Sequence, residues 1–197
     1  MENRTKKGNL FVLSGPSGVG KTTLTIETIK RIHDDFDLSK VITYTTRPKR
    51  KNEINGKDYY FLSHKEFEEK IKSDFFLETT RYDNHLYGSP ISILQDLNIG
   101  KSFAIITDLD GVKNIAHLHN AAVLVWISPP NINDLRKRII GRGIHTEKKI
   151  ENRLKLAEKE IEQAHQKTRI FKYFVVNENF EQTVNELIVL IKDELNK

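Results

Sequence analysis

From Gly15 to Thr22 the chain reads GPSGVGKT, the spacing G-x-x-x-x-G-K-[ST]. Glycines at 15, 18 and 20 permit backbone torsions that side chains forbid, so successive N–H groups can face one concavity. The motif follows a short apolar run and opens a helical pattern. Its concavity therefore sits at a helix N-terminus, where unpaired N–H groups and the helix dipole favour anions. At that spacing Lys21 reaches the β- and γ-phosphates of a nucleotide, and the Thr22 hydroxyl is a ligand for Mg²⁺. A plain glycine turn before a capped helix is the alternative, and the strand–turn–helix context favours the nucleotide.

A second cluster, RPKRK from Arg47 to Lys51, places four cations in five residues. Two readings compete at this point: a diffuse basic patch for nucleic acid, or two cations gripping one phosphate. The formal charge of +5 suits anions of either kind. Seven histidines are scattered with no carboxylate grouping at metal spacing, and they read as surface or packing residues.

These groups need a scaffold. A chain of 197 residues, 38% hydrophobic and 30% charged, is long enough for one domain with its own core. Short apolar runs at 9–13, 40–44, 103–107, 122–127 and 173–176 read as strands buried on both faces, as in a parallel sheet. Helical patterns fall at 22–32, 63–71, 132–140, 147–167 and 180–195, the second opened by a capping box at Ser63 and Glu66. Repeated β–α units imply right-handed crossovers and an α/β doubly wound parallel sheet. From Thr45 to Ser89 the rhythm breaks. That stretch, rich in Tyr, Asn and charge, reads as an inserted α+β lobe with β-like pieces near 58–62 and 75–82.

The absence of cysteine excludes disulfides and thiol chemistry and fits a reducing compartment. MENRTKKG carries no secretory apolar run, and no apolar run is long enough to span a bilayer, so the expectation is a cytoplasmic protein without membrane contact.

GPSGVGKT, TTRPKRKNEINGKDYYF, FLETTRYDNHLYGS and ITDLDG follow one another in this order. Together the set resembles guanylate kinase, and the resemblance spans nearly the whole chain. Within it, PPNINDLRKRIIGRGIHTEKKIENRL looks like the family's lid and VVNEN like its adenine-side strand. The resemblance implies a P-loop kinase fold: a core at 9–44, 90–140 and 168–197, a GMP-binding lobe at 45–89 and a helical lid at 141–167. It implies transfer of a phosphoryl group from ATP to GMP, and to dGMP, with Mg²⁺ as cofactor.

Residue by residue, the ATP side would comprise Gly15, Pro16, Ser17, Gly18, Val19, Gly20, Lys21, Thr22 and Thr23, with Arg138 and Asn177 near the adenine. Lys21, Arg142 and Arg153 would be catalytic and Thr22 would hold the metal. Arg47, Arg50, Tyr59 and Tyr87 would take the GMP phosphate; Thr43, Glu78, Ser89 and Asp108 would surround the guanine. Residue chemistry agrees. A guanidinium fork matches phosphate oxygens bidentately, whereas an ammonium is a point charge. That makes Arg47 and Arg50 the grip and leaves Lys49 and Lys51 to solvent. Guanine offers N1–H and an amino group as donors, which acceptor-only carboxylates complement.

The chain departs from the family at Thr43 (usually Ser), in the Arg-Pro-Lys-Arg order, and at Ile106 and Asp110 in the ITDLDG run. Other readings are another nucleoside monophosphate kinase, a catalytically silent guanylate-kinase-like binding module, and a nucleic-acid binder. The intact Lys21, Thr22, Arg142 and Arg153 disfavour the module, and the lack of interleaved stacking aromatics disfavours nucleic acid. A homo-oligomer is left open.

Overall fold

The structure, a computed structural model, describes residues 6–141, 146–166 and 169–197. Its first strand, β1 (Leu10–Ser14), is buried along its whole length, as a strand covered on both faces must be. Alternate side chains serve different cores. Phe11 and Leu13 pack on one side with α1 (Lys21–Ile32) and α7 (Phe180–Leu195). Leu10 and Val12 pack on the other with α3 (Ile93–Asn98) and α4 (Leu109–Leu118). One sheet thus separates two apolar layers, the doubly wound arrangement expected.

The main sheet runs β2-β7-β1-β8-β9, with β2 (Leu38–Lys40), β7 (Ser102–Ile106), β8 (Val123–Ser128) and β9 (Tyr173–Val176). All its pairings are parallel. A second sheet, β4-β3-β6-β5, is built from β3 (Tyr44–Thr45), β4 (Tyr60–Phe61), β5 (Phe76–Tyr82) and β6 (His85–Pro90). Beside it lies α2 (His64–Lys72), where Ser63 Oγ accepts the Glu66 N–H at 3.2 Å and Glu66 Oε2 accepts the Ser63 N–H at 2.7 Å. The capping box is formed. Two further helices, α5 (Ile132–Gly141) and α6 (Glu147–Gln166), precede β9.

The expected strand at 40–44 is corrected. Its first residue closes β2 and its last opens β3, so the run passes from one sheet to the other and is not itself one strand. Apolar character reports burial; it cannot say in which sheet. Strand β6 and helices α3 and α4 go beyond the sequence reading. In β6, Gly88 and Pro90 weaken the strand signal. Between β5 and β6, Asp83 (φ 49°) and Asn84 (φ 63°) make the left-handed two-residue turn that suits a tight hairpin.

Candidate active site

The phosphate loop leaves the carboxyl end of β1, where ligands gather in open α/β sheets. Gly20 caps α1 at φ 104° with no side-chain cap, which leaves the first helical N–H groups for an anion. Only glycine fits at two of its corners. A Cβ on Gly15 would lie 2.1 Å from the Ile127 carbonyl oxygen, and one on Gly20 would lie 2.9 Å from Asn177 Nδ2. Lys21 Nζ donates to the carbonyls of Gly15 at 2.5 Å and Pro16 at 3.1 Å, so its ammonium folds over the loop's own crest.

Arg138 and Asn177 hold this loop from behind. Asn177 Nδ2 donates to the Val19 carbonyl at 2.7 Å, and Arg138 donates to the same carbonyl at 3.1 Å and to that of Asn177 at 2.8 Å. Pro16 and Val19 are buried in the loop and Thr23 is exposed on α1.

A single cleft gathers most of the remaining candidates. The loop lines it with Gly15, Ser17, Gly18, Gly20, Lys21 and Thr22. Thr43, Arg47, Arg50, Tyr59, Glu78, Tyr87, Asp108 and Arg153 line it too. Pro16, Val19, Thr23, Arg138, Asn177 and Ser89 do not. Arg142 lies outside the described residues. The four cations of RPKRK are thus unequal: Arg47 and Arg50 line the cleft, whereas Lys49 and Lys51 are exposed and away from it.

Glu53 organises the two arginines. Its Oε1 accepts from Arg47 at 2.6 Å, its Oε2 accepts the Arg50 backbone N–H at 2.8 Å, and the Arg50 guanidinium lies 3.9 Å away. Burial opposes ionisation of Glu53, but the Arg47 hydrogen bond and the nearby charges hold its carboxyl below the usual range. The Arg47 guanidinium also lies 5.3 Å over the Tyr59 ring, a cation–π placement that fixes its plane. Burial, with Tyr87 close by, pushes the Tyr59 phenol up, so it stays a neutral donor.

At the other end, Glu78 is 5% exposed; its Oε1 accepts the Ser89 hydroxyl at 2.7 Å and its Oε2 has no partner among the described residues. Ser89 therefore works from behind, orienting the acid. Burial pushes the Glu78 carboxyl up to about 7, against the Ser89 bond and reinforced by Asp108. Asp108 caps α4, its Oδ1 accepting the N–H groups of Asp110 at 3.1 Å and Gly111 at 2.9 Å. Burial raises its carboxyl as well, against those N–H bonds. An unpaired buried acceptor is costly, on the order of 1–3 kcal/mol, until a ligand donor reaches it.

The sequence reading missed Glu53, Tyr82, Asp83 and Glu160. Glu53 carried a signal, an acid three residues after Arg50. Glu160 carried another, since it falls on the buried stripe of α6 with Ile150, Ala157 and Ala164. Tyr82 and Asp83, at the β5–β6 tip, carried none. Arg153, whose guanidinium lies 3.1 Å from Asp83 Oδ2, is distant in sequence. Among the described residues no cluster of three or more His, Asp or Glu side chains is arranged to hold a metal, and no helix is long and apolar enough to cross a membrane.

Residues 7–194 match the family described as Guanylate kinase. A guanylate kinase of Thermotoga maritima is 37% identical over 95% of this chain and 88% of its own length. One of Prochlorococcus marinus is 41% identical over 91% and 94%. The crystal structure of guanylate kinase from Anaplasma phagocytophilum superposes with a TM-score of 0.80 at 28% identity, covering 98% of this chain and 89% of that one.

Proposed function

The chain belongs to the guanylate kinase family, and from that premise we propose how its residues divide the phosphorylation of GMP by ATP. One observation carries the reading. A single cleft joins an uncapped phosphate loop to a paired-arginine grip and a buried carboxylate with an open acceptor oxygen.

The loop N–H groups and Lys21 take the ATP phosphates. Arg47 and Arg50 hold the GMP phosphate, with Tyr59 and Tyr87 as phenolic donors. Thr43, Glu78 and Asp108 accept from guanine, and Ser89 orients Glu78. Adenine lacks the N1–H and amino donor pair and would leave those acceptors unmatched, which is how a hydrogen-bonding site rejects an analogue. Phosphoryl transfer asks little covalent help from protein. It requires in-line placement and cations around the moving group, a role for Lys21, Arg153 and Arg142.

The donor set also bears on a metal. The exposed hydroxyl of Thr22 stands at the loop and, among the described residues, no cluster of His, Asp or Glu is arranged to hold a metal, which fits a Mg²⁺ carried in largely by nucleotide phosphates. Thr22 would hold such an ion, which would supply positive charge to offset that developing on the phosphates. Arg138 and Asn177 act for the adenine side chiefly by holding the Val19 corner. Residues 45–89 serve as the acceptor lobe and 141–167 as the lid of one domain, acting in the cytoplasm. Initial rates with GMP, dGMP, AMP, UMP and dTMP as acceptors test the assignment, and a preference for any other base over guanine overturns it.

Acceptor binding is expected to depend on pH through Glu78. Burial pushes its carboxyl up to about 7, and the ionised form is the acceptor-only form that guanine's donors match. Binding GMP must therefore expel a proton at lower pH, so affinity falls as pH drops through 7. The slope approaches tenfold per unit, the limit for one linked proton. The GMP phosphate titrates near 6 as well. Calorimetry on wild type and Glu78→Gln from about pH 6 to 8 separates the two, because only wild type carries the Glu78 contribution. Identical slopes in both proteins would remove Glu78 from recognition.

Closure is the next expectation. Arg47 and Arg50 stand on one lobe and Lys21 on the core, and reacting atoms must come within about 3–3.5 Å. With GMP and a non-hydrolysable ATP analogue together, small-angle scattering should report a more compact particle. A profile unchanged at saturation counts against this.

A further inference from the structure

Asp83 has no part in the reading above, yet it lines the cleft and its carboxylate reaches Arg153. Arg153 Nη2 donates to Asp83 Oδ2 at 3.1 Å, while Nη1 of the same guanidinium lies 3.5 Å from Ser17 Oγ in the phosphate loop. One planar group therefore joins three parts of the chain. It rises from α6, faces the loop and is held at the tip of the β5–β6 hairpin.

Neither the turn nor stability accounts for an acid at that tip. Asp83 stands at φ 49°, the first of two left-handed residues that close the hairpin. Asn and Gly suit that region at least as well, so the backbone asks for no carboxylate. The Asp83 side chain is 57% exposed and that of Arg153 25%, and an ion pair so open to water adds little to folding. What the pair does fix is a direction. An arginine on a helix face has many rotamers to lose, and a bond at Nη2 selects those that turn Nη1 to the loop. The hairpin that offers Glu78 and Tyr87 to the acceptor thus touches, at its far end, the arginine offered to the donor.

We infer that Asp83 is a positioning residue: from the hairpin tip it holds the Arg153 guanidinium with Nη1 turned to the phosphate loop, so that the cation is in place when the donor phosphates bind. Asp83 acts through Arg153 and touches no reacting atom. The role rests on the reading of the loop as the donor site and of Arg153 as a cation for its phosphates.

Asp83→Asn and Asp83→Gly test this, each made in wild type and in Arg153→Ala. The readouts are calorimetric Kd for a non-hydrolysable ATP analogue, calorimetric Kd for GMP, and kcat for the two single variants. Both replacements accept a positive φ, whereas alanine would add backbone strain to the loss of the carboxylate. The Asn amide oxygen still accepts from Arg153, so Asp83→Asn should stay within about twofold of wild type throughout. Gly offers no acceptor. Asp83→Gly should weaken the analogue and lower kcat about three- to fivefold, the upper range for a partly exposed ion pair, with GMP affinity within about twofold. In Arg153→Ala the same change should alter analogue affinity less than about 1.5-fold, because the arginine it acts through is gone. A turn merely loosened by glycine would cost the same in both backgrounds, and that result overturns the inference. So does a folded Asp83→Gly protein with wild-type kcat and analogue affinity, or an Asn variant that falls as far as Gly. Tighter analogue binding by Asp83→Gly also overturns it, since the carboxylate would then compete with phosphate for Arg153. If wild type binds the analogue but phosphorylates no GMP, the functional reading fails, and the analogue affinities still decide the role of Asp83.

Discussion

Replacing Lys21 with alanine is expected to lower kcat about 10³-fold, roughly 4 kcal/mol of transition-state stabilisation, in a protein that remains folded. The Lys21 ammonium donates to the backbone carbonyls of Gly15 and Pro16 in its own loop, and the side chain is half-buried. Gly15 lines the cleft, where water can replace the lost donor at little cost in stability. During transfer no such substitute exists, since negative charge redistributes over oxygens from which water is excluded. The loss should therefore appear mainly in kcat, with a smaller rise in the KM for ATP, the pattern of an interaction realised in the transition state. Steady-state kinetics with a thermal melt on the same sample check it. Full turnover by a folded Lys21→Ala protein would remove the loop from the reaction.

Four substitutions within RPKRK should give unequal losses. Arg47→Lys and Arg50→Lys preserve charge but lose the planar fork; each should cost about 1–3 kcal/mol in kcat/KM for GMP, or roughly 5- to 150-fold. The heavier loss belongs to Arg47. Its side chain is 11% exposed, fixed by Glu53 and Tyr59, whereas that of Arg50 is 58% exposed. Lys49→Ala and Lys51→Ala remove whole charges from exposed positions outside the cleft, so they should matter only a few-fold, and less as salt rises. A nucleic-acid patch demands the reverse, near-equal losses for each charge removed and indifference to Arg→Lys. Kinetics of the four variants at low and moderate ionic strength decide between them, and equal effects would refute a phosphate grip.

Much of this was readable before any coordinates, because certain features are local. A glycine loop between strand and helix requires only neighbouring residues, and so does a capping box; Gly15–Thr22 and Ser63–Glu66 both form as their spacing implies. Runs of apolar residues likewise report burial directly, which is why β1, β7, β8 and β9 fall within a residue of expectation. The division of 40–44 between two sheets was not readable, since its hydrophobicity is the same whichever partner it takes.

The acceptor and donor groups were identifiable by type, but their convergence was decided by packing. The residue types of Arg47 and Glu78 limited what each could bind. That Glu53 would orient Arg47, or that Ser89 would sit behind Glu78 and leave one oxygen open, depended on side chains meeting across strands and turns. The corner at Ser17 is the extreme case: Arg153, 3.5 Å from Ser17 Oγ, comes from a helix far along the chain, and Glu160 on the same helix lines the same cleft. Sequence alone determined the phosphate loop, the fold class and the chemical kinds of group available, because backbone torsion, periodicity and charge are properties of near neighbours. Only the tertiary structure decided which carboxylates are buried, what orients them and which walls of the cleft are joined, because those depend on contacts that close long loops.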